Sequence, residues 1–438
     1  MLLLYSAQSG NRWHYIAETL LQDICGLYIS FTHNREEFIS YDGPKINYSA
    51  ERITDKEIHI TPSHLLFEEG IKKQQVEVFE INGYKAFFRT TGGDIVFDIF
   101  AASFYLISRY EEYLPHKKDE YGRYAHTGSL AFKENFLQLP LVNIWLHDFK
   151  LVLKRYFPAI VFRNQRFRFI PTYDIDVAFS YLNKGLIRSA GGLLKSLFKG
   201  EISAVKERIK VWQGKQEDPY DVYEWLIALH LKYGLKPYYF FLIAKEQKGF
   251  DRNIEPTRDD MQELIQYHAQ GYHVGLHPSW QSGDDDQLLR EELELMEYII
   301  NRKTECSRQH YIRFSLPLTY RKLIASGIEK EFSMGYGGIN GFRASVASTF
   351  HWYDLAAEEK TSLIIYPFCF MDANAYYEQG YTPQQAYAEL KTYHDTVKKV
   401  NGTLITIWHN HFFSNTRGFE GWKEVYEVFL NEVVYWDL

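Results

Sequence analysis

The sequence predicts an α/β protein in two units: a small α/β domain over residues 1–165, then a parallel sheet with helical crossovers over 166–438. Two observations carry that expectation. From about Phe167 onward, apolar runs alternate with amphipathic helical stretches, the pattern of βα units feeding a parallel sheet. Residues able to bind metal or move protons recur where those apolar runs stop, and in such sheets chemistry gathers at the strand ends.

The first unit is mixed. "KEIHITPS", "QVEVFEI", "YKAFFRT" and "DIVFDIF" read as short strands, and "FAASFYLISRYEEYL" and "PLVNIWLHDFKLVLKRYF" as helices. The charged and aromatic run Arg109-Tyr110-Glu111-Glu112-Tyr113 reads as a solvated face or a domain contact. In the second unit "FRFIPTY" is a strand. "DVYEWLIALHLKYG" is a helix with Asp221 as its N-cap and Gly234 just past its end, and "KPYYFFLI" is the next strand. "RDDMQELIQYHAQG" and "YHVGLH" repeat the alternation, as do "DDDQLLREELELMEYIINRK" and "RQHYIRF". "LIIYPFCF", "TPQQAYAELKTYHDTVKKVNG" and "TLITIWH" complete it. The sheet these strands form is either open and doubly wound or closed into a barrel.

One interruption, at about 178–220, separates the first strand from its helix. Within 181–210, Lys and Arg stand at 184, 188, 195, 199, 206, 208 and 210 against Glu201 and Glu207, in a chain whose net charge is −7. With Leu186, Ile187, Leu193, Leu194, Leu197 and Phe198 at helical spacing, this is a basic amphipathic insertion. It packs on its own barrel, meets an anionic membrane surface or forms a lid above the site.

Composition bounds the function. Hydrophobic residues at 46% and charged residues at 24% describe a folded globular chain, and the negative net charge removes nucleic acid from the expected partners. Aromatic residues, at 17%, exceed ordinary usage; their flat apolar faces suit thick cores and also sugars. Cys25, Cys306 and Cys369 are too few and too scattered for a disulfide framework or a cysteine-based zinc site. The opening "MLLLYSAQSGNRWHYIAETL" lacks the regions of an export signal, and no apolar run is long enough to span a bilayer, so a cytoplasmic protein is expected.

The chemistry concentrates in "PTYDID" at 171–176 and "GYHVGLHPSW" at 271–280. Asp174 and Asp176 alternate along extended chain, so they face opposite ways unless the strand is already turning. One carboxylate can then hold a cation while the other takes a proton. An imidazole such as His277 beside a carboxylate is the usual setting for Zn²⁺ and similar divalent ions. A hydrolase also needs an acid for its leaving group, and His409 or His411 can supply it.

Over roughly 166–438 this ordered set resembles the polysaccharide deacetylases, the NodB-homology or carbohydrate esterase family four group, in a divergent bacterial branch with an extra N-terminal domain. Thr172-Tyr173-Asp174-Ile175-Asp176 is similar to the family's T-F-D-x-D strand, and Gly271-Tyr272-His273-Val274-Gly275-Leu276-His277 to its G-H-E-[IV]-G-x-H. "SRQHYIRF" stands in the place of its R-x-P strand. "EFSMGYGGINGFRASV" looks like a D-x-S-x-G-Y…G-F-R segment with Glu331 where an Asp is expected, and "TIWHNHFF" looks like the strand bearing the last histidine. The resemblance implies a distorted (β/α) barrel of about seven parallel strands. It implies Asp174 as catalytic base, Arg308 as the group orienting a carboxylate, and His409 or His411 as acid. Asp176, His277 and, by swinging in, His310 would hold a divalent metal ion, Zn²⁺ being the first expectation. The implied activity is removal of N-acetyl groups from an amino sugar in a glycan or glycan precursor.

Two departures support a second reading. The position four residues after His277, where the family carries another ligand histidine, is Gln281, and the Pro-Tyr half of the third motif is missing. His273 lies four residues before His277, about 13 Å away along a strand, too far to share an ion. The alternative is a glycan-binding or scaffold protein on a deacetylase fold that has lost its metal.

Overall fold

A computed structural model describes residues 1–163 and 165–434. The chain opens with a four-stranded parallel sheet in the order β2-β1-β3-β4, formed by β1 (Leu2–Tyr5), β2 (Ile29–Thr32), β3 (Lys45–Tyr48) and β4 (Ile58–Ile60). β1, β3 and β4 are buried along their whole length, as parallel strands covered on both faces must be. Of the strands expected here, "KEIHITPS" yields β4. "QVEVFEI" and "YKAFFRT" yield the short hairpin β5 (Phe79–Ile81) and β6 (Tyr84–Ala86) across Asn82-Gly83, both with positive φ as such a turn requires. "DIVFDIF" is not a strand. Its Asp98 caps the helix Ile99–Ile107 by accepting the Ala101 amide, so the apolar run enters a helix.

The second sheet has nine strands in the order β12-β13-β11-β10-β9-β8-β7-β15-β14. Its members are β7 (Arg168–Ile175), β8 (Tyr238–Leu242), β9 (His273–His277), β10 (Cys306–Ser307), β11 (Lys330–Glu331), β12 (Phe350–Asp354), β13 (Glu359–Ile365), β14 (Phe370–Met371) and β15 (Thr403–His409). All neighbours run parallel except the β12–β13 pair. The α/β class with parallel strands is therefore as expected. The sheet differs from a simple seven-stranded barrel in carrying an antiparallel edge strand, and among the described residues no ladder joins its two ends, β12 and β14.

Local chemistry explains the central strands. Pro171 sits in β7, a poor place for a residue without an N–H, but β8 pairs with β7 only from Thr172 onward. Gly275 in β9 is required by close approach: a Cβ there would lie 2.7 Å from the Cys306 carbonyl oxygen and 2.7 Å from the Phe240 ring. "RQHYIRF" is not a strand: β10 ends at Ser307, just before it, and from Arg308 the chain leaves the sheet and turns through a short helical segment at His310–Ile312. The helix expected from Asp221 begins after Val222, with Gly234 in the left-handed conformation past its end as anticipated. The basic insertion forms two helices, Leu186–Phe198 and Ile202–Trp212.

One continuous buried apolar cluster runs from Leu2 to Leu430 and joins both sheets. Polar contacts reinforce the junction. Tyr15 donates to the His351 carbonyl at 2.7 Å, Arg12 pairs with Glu358, and the Val142 amide donates to Ser345 at 3.0 Å.

Candidate active site

The order β10-β9-β8-β7-β15-β14 brings together the carboxyl ends of strands that are far apart in sequence; of the expected site residues, Asp174, Asp176, His277, His310, His409 and His411 line one cavity there, and Arg308 bonds Asp174 beside it. Asp174 lies in β7 opposite His409 of β15, and His277 ends β9 opposite Leu242 of β8. Because β7 stops at Ile175, Asp176 escapes the alternation of side chains along the strand, and both carboxylates line one cavity of about 470 Å³ with His277, His310, His409 and His411.

Asp176, His277 and His310 present ligand atoms within 4.8 Å of one another. Oδ1 of Asp176 is 3.2 Å from Nε2 of His277, and Oδ2 is 3.7 Å from Nε2 of His310. The Nδ1–H of His277 donates to the Arg308 carbonyl, and Nδ1 of His310 is 2.7 Å from the Asp251 carboxylate. Each ring is thereby fixed with its other nitrogen turned toward Asp176, the arrangement in which outer partners orient metal-ligating histidines. The neutral His277 ring would set a lone pair against a carboxylate oxygen, an arrangement that calls for a proton or a cation between them. Asp176 Oδ1 is buried and accepts no hydrogen bond among the described residues. A carboxylate and two imidazoles of this kind suit a divalent ion such as Zn²⁺, so the residues present fit the expected group. His310, leaving the sheet after β10, supplies the third donor that Gln281 lacks; Gln281 points elsewhere, donating to the Lys248 carbonyl at 3.3 Å.

The second carboxylate is held differently. Arg308, fully buried, donates from Nη1 to Asp174 Oδ1 and to Thr172 Oγ1, both at 2.7 Å, and from Nε to the Phe332 carbonyl at 3.1 Å. Asp174 Oδ2 faces the cluster, 3.8 Å from Nε2 of His277. Across the cavity, His409 directs Nε2 toward Asp176 Oδ2 at 3.5 Å while Nδ1 rests on Asp372 at 2.6 Å. Asp372 also accepts the His409 amide at 2.7 Å.

Burial opposes charge in this site, and at Asp176 and His409 ion pairing outweighs it. Burial would raise the Asp176 carboxyl, but the neighbouring His310, His277 and His409 hold it well below the usual carboxylate range. Burial would lower His409; the charge of Asp372 and its hydrogen bond push it up to about 10 instead. His411, half-buried beside His409, is pushed down to about 3 by burial and by the charge of His409; among the described residues its Nδ1 has no hydrogen-bond partner.

Sequence reasoning missed the two carboxylates that orient the imidazoles. Asp372 directly follows the apolar run "LIIYPFCFM", so its place at a strand end was a usable signal. Asp251 lies in a loop without periodicity. It also missed Tyr121 and Arg123, which reach the cavity wall from the N-terminal part of the chain. His273, at the far end of β9, stacks on Tyr238 at 4.4 Å, remote from the cluster.

The model of a family of unknown function, DUF7033, matches residues 2–158. No curated protein matches the chain. Among solved structures it is similar to a protein described as a polysaccharide deacetylase from Mycobacterium smegmatis, at 14% identity and TM-score 0.41, over 64% of this chain and 87% of that one. A second so described, from Pseudomonas aeruginosa PAO1, shows 11% identity and TM-score 0.39 over 61% of this chain and 85% of that one. A third is a mutant CE4 family pseudoenzyme with restored enzymatic activity, at 10% identity and TM-score 0.27, over 62% of this chain and 68% of that one. At these similarities the chemistry has to be argued from the residues themselves. Two of these solved structures are thus described as polysaccharide deacetylases and the third as a CE4 family pseudoenzyme.

Proposed function

We propose that the chain is a metal-dependent hydrolase that removes N-acetyl groups from an amino sugar in a glycan or glycan precursor. The observation that carries this reading is the orphaned Asp176 oxygen facing two imidazoles whose other nitrogens are tied down. Asp176, His277 and His310 would hold the ion. An ion held there would supply Lewis acidity toward the acetyl carbonyl and toward water. Asp174 Oδ2, left facing the cavity by Arg308, takes the proton of the attacking water, whose oxygen adds to the acetyl carbon. Arg308 positions that carboxylate. His409 Nε2, oriented by Asp372, donates a proton to the sugar nitrogen as the C–N bond breaks, releasing a free amine and acetate. His409 has a carboxylate partner, while Nδ1 of His411 has none among the described residues, which favours His409 as the acid. We place the division between the two units near residue 165, and assign the insertion at 181–210 to peripheral contact with an anionic membrane, where lipid-linked sugar intermediates would be within reach. Among the described residues no helix is long and apolar enough to cross a membrane.

The test is metal content by elemental mass spectrometry with acetate release from acetylated sugars. About one Zn²⁺ per chain in the wild type, lost in Asp176→Ala and His277→Ala, is expected. Asp174→Asn should keep the metal and lose activity by at least about a hundredfold. A wild type that takes up no Zn²⁺, Co²⁺ or Ni²⁺ would favour the alternative of a lapsed, glycan-binding module.

A further inference from the structure

The cavity is not built by the large sheet alone. Residues 119–123 belong to the segment that precedes the nine-stranded sheet, yet Tyr121 and Arg123 line the same wall as His310 and Tyr311. One carboxylate closes the loop: Asp119 accepts the amides of Tyr121 and Arg123 at 3.0 and 2.9 Å and the Nε of Arg123 at 2.6 Å. Arg123 then crosses to the other unit and donates from Nη1 to the Tyr311 carbonyl at 2.7 Å. Tyr311 and Ile312 have φ of 58° and 55°, a left-handed backbone that bulky side chains adopt only when their surroundings enforce it. The glycine-rich "GYGGINGF" has a role in the same contact. A Cβ at Gly337 would lie 1.9 Å from Arg123 Nη1 and 3.1 Å from the Tyr311 carbonyl oxygen, so a side chain there would displace the guanidinium from this contact.

The result is a cluster of rings beside the metal-ligand residues. Tyr311 abuts His310 at 4.8 Å, and Tyr121 and Phe250 both pack on Tyr311, at 5.4 and 4.8 Å, and on each other at 5.8 Å. Arg123 covers one face of Tyr121 at 4.6 Å. Tyr121 remains only partly buried and borders the cavity.

We propose that the loop at 119–123 makes the N-terminal unit part of the binding site: Tyr121 receives the sugar that adjoins the one held at Asp176, His277 and His310, so the site takes glycans of two or more acetylated units in preference to the single sugar. This rests on the deacetylase reading for the placement of the acetamide. Asp119 and Arg123 are positioning residues for the loop and for Tyr311. Tyr121 is the specificity residue.

Isothermal titration of N-acetylglucosamine and di-N-acetylchitobiose into the zinc-loaded full chain carrying Asp174→Asn, which holds back turnover, reads the preference directly. The disaccharide is expected to bind about tenfold tighter than the monosaccharide. Adding Tyr121→Ala should remove most of that preference, and Tyr121→Phe, which keeps the ring, should retain it. Equal binding of the two sugars, no binding of either, or a preference unchanged by Tyr121→Ala would overturn the assignment. Acetate release from the disaccharide by the wild type separates this from the deacetylase reading. If Tyr121-dependent binding is found without release, the loop assignment stands and the hydrolase falls.

Discussion

At the scale of single residues, the site shows how buried acids are put to different uses by their partners. Asp174 has a guanidinium, Asp176 has imidazoles, and Asp251 and Asp372 orient those imidazoles. Glu292 has much less: it is buried, accepts the Ser279 amide at 2.9 Å, and burial pushes it up to about 7. Its folded-state value lies above the ordinary 4.5, so the folded protein holds the proton more tightly than the unfolded chain. Stability should therefore fall as pH rises from about 4.5 to about 7, by at most about 3 kcal/mol. Glu292→Gln keeps an acceptor for Ser279 and removes the charge. Its urea midpoint is expected to exceed that of the wild type at pH 8 and to match it near pH 5; equal midpoints at both would show that no proton is held there.

At the scale of elements, strand ends were readable and loops were not. β7, β8, β9 and β15 follow from apolar runs closed by polar residues, and the residues marking those ends, Asp174, His277 and His409, do meet. The approach of Arg123 to Tyr311 depends on tertiary packing between segments 188 positions apart, for which sequence spacing carries no signal. β1, which opens the first sheet, was hidden for a related reason: a four-residue apolar run is too short to show a period. The two insertion helices combine legible composition with visible exposure. Phe198 is 90% exposed at the tip, Leu194 and Ile202 are more than half exposed, and Lys195, Lys199 and Lys206 stand among them on the surface. Such a pair suits insertion of apolar side chains among anionic headgroups. Flotation with phosphatidylserine vesicles should carry the wild type and lose most of the Phe198→Ser/Lys195→Glu/Lys199→Glu variant; equal recovery of both would remove the membrane contact.

At the scale of the molecule, the run at 109–113 that reads from sequence as a solvated face or a domain contact is a junction. Glu112 accepts from Arg109 Nε at 2.8 Å and from Arg343 Nε and Nη2 at 2.9 and 2.6 Å, all three side chains being buried. Burial opposes ionisation of Glu112, but Arg343 and Arg109 hold its carboxyl down at about 2. A depressed carboxyl contributes stability above its unfolded value of about 4.5 and loses it as pH falls toward 2. Glu112→Gln, which strands two guanidiniums, should cost about 3–5 kcal/mol at pH 7. The gap to the wild type should close progressively in acid; a pH-independent gap would mean that the charge is not what matters. The carboxylate that closes this junction sits 231 positions before Arg343 in the chain. Glu112 therefore leaves the ribosome long before its stronger partner exists, and the direction of synthesis decides which half of the molecule must wait for the other.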